Sequence, residues 1–194
     1  TDLVIAGPGE TQAQFTNTGS ITGSELGMSV VADEVHMDFR NTFAEVEFPD
    51  TPVISAGGES GIGLFLSANT WDGNVTNDGS IGGGNVGLVI GGLPTSETSI
   101  SQFTGSFEGN ITNSSTGVIT GGQYGVFVAA SSFEGNFVNN GNISGNTGVV
   151  FAGASFDTIF ANKGAFNGTF TNNGSIVGGN TGVMMNFGLI DGGE

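Results

Sequence analysis

The sequence predicts an all-β protein: a right-handed parallel β-helix (β-solenoid) of about six coils. The first observation is a repeated motif of the form aromatic-x-Gly-x-apolar-x-Asn, whose full copies begin at Trp71, Phe107, Phe133 and Phe166. The second is a recurring isoleucine, 24 to 38 residues apart, at positions 21, 54, 81, 119, 143 and 176. Third, Gly or Asn recurs every few residues, which makes helices costly.

Alternation within one copy predicts which side chains form the core. Side chains of a strand point to opposite faces in turn, so Phe107, Gly109 and Ile111 share the inner face of a front strand, 107–113. Asn113 is expected to begin a corner, where stacked asparagines form amide ladders. The isoleucine centres a second strand, and a third follows the next Gly-rich corner. One such unit cannot bury its apolar face, but stacked units can.

An antiparallel β-sandwich or barrel is the alternative fold, because regularly spaced short strands are also typical of it. The solenoid is favoured because the same residues recur at the same positions of each unit, which a sandwich does not require. We expect a single domain, 1–194, with insertions at 93–106 and 154–165. Residues 32–53 hold six of the 18 acids and are interpreted as an atypical acidic coil without a Thr-x-Asn front half.

Charge excludes several classes of partner. Arg40 and Lys163 are the only Lys or Arg residues, and the net charge is −16. Nucleic acids and anionic membrane surfaces are bound by clustered basic residues, so neither is an expected partner. The chain has no cysteine, which excludes disulfides and thiolate metal sites. No apolar run approaches the roughly 18 residues needed to span a bilayer, so no membrane insertion is expected.

The repeats resemble those of a known group of bacterial proteins. The segment 136–149, Asn-Phe-Val-Asn-Asn-Gly-Asn-Ile-Ser-Gly-Asn-Thr-Gly-Val, is similar to repeats of autotransporter passenger domains and haemagglutinin-like β-helix adhesins. The resemblance covers roughly residues 14–31 and 54–188. It implies an extracellular location at a bacterial surface and a role in adhesion or cell–cell association.

The middle position of the third strand should point outward, yet it is apolar in five coils. These residues are Phe65, Val89, Phe127, Val150 and Met184. A continuous exposed apolar stripe is typical of an interaction site. The column is therefore a predicted contact for copies of the chain, or for a surface protein or glycan. Alternatively, one of the two insertions lies over it.

A column of acids is the candidate cation site. Asp72, Glu108 and Glu134 occupy the same outward position in three copies, where stacked carboxylates would repel one another. A bound Ca²⁺ would relieve that repulsion, and carboxylate oxygens are its preferred ligands. The alternative is a solvated acidic face that aids solubility. No other cofactor is predicted.

Catalysis is a lesser alternative. β-Helices include polysaccharide lyases, but Arg40 and Lys163 are expected about four coils apart, roughly 20 Å at strand spacing. They could not share one carboxylate-binding site, which leaves only a hydrolase site built from carboxylates. The sequence thus predicts a structural or adhesive protein that acts by self-association or partner binding and not by catalysis. A subunit of an extracellular filament or surface layer, stabilised by calcium, is the alternative.

Overall fold

The protein is a parallel β-helix. In the computed structural model, the described residues are 13–44, 50–91, 94–96, 99–100, 105–153, 164–187 and 189–191. Nineteen of the 21 described strands form one continuous sheet with parallel pairing throughout. The strands are β1 (Ala13–Asn17), β2 (Ser20–Gly23), β3 (Leu26–Asn41), β4 (Val53–Ala56), β5 (Ile62–Asp72), β6 (Val75–Asn77), β7 (Ser80–Gly83), β8 (Val86–Gly91), β9 (Pro94–Ser96), β10 (Ser99–Ile100), β11 (Ser106–Glu108), β12 (Ile111–Asn113), β13 (Val118–Gly121), β14 (Tyr124–Ala130), β15 (Ser132–Glu134), β16 (Phe137–Asn139), β17 (Asn142–Gly153), β18 (Ala165–Asn167), β19 (Phe170–Asn172), β20 (Ser175–Asn186) and β21 (Leu189–Asp191).

Each complete coil has four strand segments, which we name after their residues. The aromatic segments are the middle of β3, the end of β5, and β11, β15, β18 and β21. The asparagine segments are β1, the end of β3, and β6, β12, β16 and β19. The isoleucine segments are β2, β4, β7, β13 and the beginnings of β17 and β20. The long segments are the beginnings of β3 and β5, then β8, β14 and the ends of β17 and β20.

The isoleucine column confirms the predicted stacking. Six isoleucines pair in order from one coil to the next, at positions 21, 54, 81, 119, 143 and 176. The four central ones are buried. Since equivalent residues lie one strand spacing apart, the coils have a common register although their lengths differ. A sandwich would not produce this sequence of pairings, so that alternative is wrong.

Aromatic rings fill the interior beside the isoleucines. The Phe107 ring stacks on Phe133 at 5.2 Å and 6°, and Phe133 stacks on Phe166 at 5.1 Å and 2°. Phe151, from a long segment, meets Phe133 and Phe137 edge-on at interplanar angles of 86° and 88°. Offset stacks and edge-to-face contacts are the arrangements that aromatic pairs prefer. One apolar core therefore runs along the solenoid.

The predicted front strand is two strands, which corrects the prediction of three strands per coil. β11 ends at Glu108, β12 begins at Ile111, and Gly109 lies between them at φ +144°. A Cβ atom there would collide with the backbone of Gly73 one coil away. Only glycine readily adopts this backbone conformation. The glycine of the motif therefore turns the chain, and it does not belong to the inner face of a continuous strand.

The acidic coil at 32–53 is less atypical than its sequence indicates. Phe39 pairs with Phe15 in the preceding coil and with Val75 in the following one. Asn41 likewise pairs with Asn77 of the following coil. Residues 35–41 are thus a regular front half, with Arg40 at the usual threonine position. The expectation that this coil lacks one is wrong.

Parts of the predicted domain organisation lie outside the described residues. In the first insertion, 93–106, the short strands β9 and β10 pair antiparallel with each other and not with the large sheet. Of the second insertion, 154–165, only the last two residues are described, and Ala165 begins β18. Lys163 and residues 45–49 are also outside the described ranges.

Candidate interaction surface

The predicted apolar column does stack along the long segments. Phe65 pairs with Val89, Val89 with Phe127, Phe127 with Val150, and Val150 with Met184. Ser29 precedes Phe65 in the same column. The sequence pattern therefore assigned these side chains to one line, as the alternation of the third strand requires.

Their exposure differs from the expectation. Val89, Phe127 and Val150 are only 0%, 3% and 2% exposed, Phe65 is half-buried, and Met184 is 43% exposed. The prediction of an exposed stripe is therefore wrong at the three central coils. The contact role stays a prediction at Phe65 and Met184.

The buried part of the column belongs to a second apolar cluster, separate from the interior core. The outer apolar cluster consists of Val86, Val89, Phe127, Ala129, Val150 and Ala152, with Ile62, Phe65 and Tyr124 packed against it. The Tyr124 ring lies 5.1 Å from that of Phe127, tilted by 50°. Because these side chains contact one another, they stabilise the sheet from its outer face. Alternation alone could not distinguish a stabilising outer layer from a binding stripe.

The predicted acidic column also stacks in register. Asp72 pairs with Glu108 and Glu108 with Glu134, and His36 precedes Asp72 in the column. The Nδ1 atom of His36 lies 3.4 Å from the Asp72 carboxylate and its Nε2 atom 4.0 Å from that of Glu34. Glu108 and Glu134 are exposed.

This column does not form the predicted calcium site. Within the described ranges, no group of three or more His, Cys, Asp or Glu side chains is placed to hold a metal ion. The physical reason is that a column contributes one outward carboxylate per coil, about 4.8 Å from the next, whereas Ca²⁺ requires six to eight oxygens around one point. Asp72, Glu108 and Glu134 are therefore a line of charge along the surface.

An asparagine ladder lies inside the corner after each asparagine segment, as expected. In each of five steps the side-chain Nδ2 of one asparagine donates to Oδ1 of the next at 2.8 Å. The six members are Asn17, Asn41, Asn77, Asn113, Asn139 and Asn172. The first five are buried, and Asn172 is exposed. The ladder therefore has a direction, with each donor oriented toward the later coil.

A second ladder that the sequence analysis did not predict lies on the outer side of the glycine bend. Asn74 donates from Nδ2 to Asp38, Asn110 to Asn74, and Asn136 to Asn110, at 2.9–3.0 Å. Each accepting oxygen also accepts a hydrogen bond from the backbone N–H of the same asparagine whose side chain donates to it. The signal was present, since these residues follow the bend glycine directly in three copies.

The last described coil exposes apolar side chains that the sequence analysis did not single out. Val183 and Ile190 are 39% and 58% exposed, although both continue interior columns. Leu189 and Met184 are exposed beside them. We call these four residues together with Asn172 the end surface. The signal available in the sequence was position alone, because an interior residue becomes accessible where no further described coil covers it.

The other outward columns give less evidence of an interaction site. Arg40 lies in the threonine column between Thr16 and Thr76, and its guanidinium is 4.0 Å from the Asp38 carboxylate. Lys163 is outside the described residues, so its predicted separation from Arg40 stays a prediction.

No helix that could cross a membrane is found in the described segments. Comparison with protein-family models, curated proteins and solved structures found no significant match.

Proposed function

We propose that this protein is an extracellular structural or adhesive solenoid of a bacterial surface, which acts by associating with copies of itself or with a surface protein or glycan. The observation that supports association best is the end surface. Val183 and Ile190 are the last described members of two interior columns and are exposed, as are Leu189 and Met184. Exposed apolar residues at a sheet edge are typical of an interaction site, because such an edge readily pairs with another strand.

The rest of the solenoid supports a structural role. Two ladders of polar side chains join its coils, and among the described residues no buried side-chain nitrogen or oxygen lacks a hydrogen-bond partner. Such a stack presents equivalent residues repeated at strand spacing. The bacterial location in the proposal comes from the resemblance of the repeats. The noncatalytic role is proposed because the candidate acids Asp72, Glu108 and Glu134 stand in a line and do not converge on one point.

Beads coated with the protein test this proposal. We expect coated beads to cluster with one another, or to be retained on bacterial cells or immobilised glycans, while beads coated with an unrelated acidic protein do neither. A polysaccharide panel incubated with the soluble protein should release no reducing sugar. Beads that neither cluster nor attach would contradict the proposal. Release of reducing sugar would instead favour the enzyme alternative.

A further inference from the structure

The outer apolar cluster lies on the outward face of the sheet, yet its central side chains are inaccessible to water. Val89 is 0% exposed and Ala152 is 1% exposed. All nine members of the cluster belong to β5, β8, β14 or β17, so the described residues supply only a single layer of it. Side chains of a strand stand roughly perpendicular to the sheet, so on an uncovered face their tips would remain in water. A second layer is therefore needed to explain the burial.

The buried part of this face spans three successive coils. Val89, Phe127 and Val150 are 3% exposed or less, whereas Phe65 in the coil before them is half-buried and Met184 in the coil after them is 43% exposed. At strand spacing, three coils extend over about 10 Å. The strands β8, β14 and β17 contain no charged residue. The face thus fits a short apolar occupant.

The second insertion adjoins this face at both of its ends. Residues 154–163, which lie outside the described ranges, follow Gly153 at the end of β17 and precede Gly164. These two glycines are close together, since a Cβ atom on Gly153 would lie 3.1 Å from the Gly164 Cα atom. Compact surface loops have ends that meet in this way. Five extended residues reach about 16 Å, which is more than the extent of the three buried coils.

The sequence of this segment has the required chemistry. Phe156, Ile159 and Phe160 are three large apolar residues among ten, and Asp157 and Lys163 have opposite charges. The first insertion is the less suitable occupant. Its residues 93–104 contain three large apolar residues among twelve and one uncompensated charge, and the strands β9 and β10 within it pair with each other.

We propose that residues 154–163 pack across the outer apolar cluster, with Phe156, Ile159 and Phe160 as the second apolar layer. This inference goes beyond the proposed function, because it assigns the face to a segment of the same chain. It thereby removes Val89, Phe127 and Val150 from the surfaces that a partner can contact. Association then uses other surfaces of the solenoid.

Deletion of residues 154–163 removes the proposed occupant and should preserve the solenoid. The deletion joins Gly153 to Gly164, so that one residue connects β17 to Ala165. The coil of β14 already has this short connection, in which Ser131 alone lies between the partner of Gly153 and the partner of Ala165. Circular dichroism should therefore show the β-sheet signal of the wild-type protein.

Deletion of residues 93–104 is the matched control. It leaves two glycines between Gly91 and Ser106, and the coil of β14 likewise has two residues between the partners of these two positions. Both deletions therefore remove one insertion and leave a connection that the solenoid already contains. They differ only in which insertion is lost.

A single engineered thiol reports whether the cluster is covered, because the chain has no cysteine of its own. Val150→Cys places a small apolar thiol in the cluster, where a maleimide reagent can label it in native buffer. Labelling should be slow in the full-length chain and after deletion of 93–104. After deletion of 154–163 it should be at least about tenfold faster, because a covered thiol reacts only when the structure opens locally. Met184→Cys, an exposed member of the same column, should be labelled rapidly in all three proteins.

Paired substitutions in the full-length chain give a second test that does not depend on a deletion. Phe156→Ser combined with Phe160→Ser should accelerate labelling of Val150→Cys, and Leu93→Ser combined with Phe103→Ser should not. Acceleration only when the first insertion is changed would assign the contact to that insertion and overturn the proposal. Rapid labelling of Val150→Cys in the otherwise unchanged chain would overturn it as well, as would slow labelling in every variant.

Discussion

The side-chain Nδ2 of Asn113 donates to Oδ1 of Asn139 at 2.8 Å, although 26 residues separate them in the chain. Both side chains are buried, and Asn113 accepts in turn from Asn77. One amide thus joins three successive coils. Because buried polar groups are costly to leave unpaired, this arrangement favours one register of the coils over its neighbours.

We expect Asn113→Ala to destabilise the protein markedly. The change removes the donor to Asn139 and to the Gly117 carbonyl, and unpaired buried groups cost about 1–3 kcal/mol each. Urea unfolding followed by circular dichroism measures the loss. Asn140→Ala, which removes one exposed bond, is the control and should change the free energy of unfolding by less than about 0.5 kcal/mol. Equal stability of the two variants would mean that the ladder does not stabilise the stack.

The bend glycine should tolerate no side chain. In Gly135→Ala, the new Cβ would meet the Gly109 carbonyl at a backbone φ of +141°, so we expect a loss of more than about 1 kcal/mol in unfolding free energy. Gly57→Ala is the matched control, since a Cβ there meets nothing within 4 Å. Thermal unfolding of both variants distinguishes them. A wild-type midpoint for Gly135→Ala would show that the bend is not as tight as described.

Phe127 and Met184 belong to one column but should respond differently to truncation. Phe127 is buried in the outer apolar cluster, so Phe127→Ala should lower the free energy of unfolding by about 3–5 kcal/mol. Met184→Ala removes an exposed side chain and should leave it within about 0.5 kcal/mol. Chemical unfolding provides the comparison. Similar small effects at both positions would restore the view of the column as an exposed stripe.

The acidic column should respond to ionic strength and not to calcium as such. Glu108→Gln removes the middle charge between Asp72 and Glu134, which lie opposite it on neighbouring strands. Like charges so placed are destabilising, and salt screens them. We expect a higher thermal midpoint than wild type in low salt and a smaller difference in high salt.

Wild-type protein should show equal midpoints in CaCl₂ and NaCl of matched ionic strength. A rise specific to calcium would indicate a cation site that the column geometry does not provide.

Much of the fold follows from residue types at fixed intervals. The isoleucine and asparagine columns were predictable because apolar burial and amide pairing both require the same residue in each coil. The front half at 35–41 was missed because Val35 and Arg40 replace the usual aromatic residue and threonine, although Asn41 keeps its place. Backbone conformation does not show in a pattern of polarity, so Gly109 was assigned to a strand and not to a bend.

The candidate site was less predictable. Alternation placed Phe127 outward correctly, but exposure depends on which other residues pack against it, and the pattern of one strand does not contain that information. The calcium site failed for a related reason, because register brings carboxylates into a line without converging them on a point. The end surface has no sequence signature, since Val183 resembles its buried counterpart Val149 in every local respect.

Sedimentation velocity over a concentration series tests the central claim, association of solenoids, most directly. We predict that the sedimentation coefficient of the wild-type protein rises with concentration. Millimolar Ca²⁺ should act no differently from sodium chloride of equal ionic strength. A single monomeric species at every concentration would contradict self-association, and only binding to another surface molecule would then be left of the proposed function.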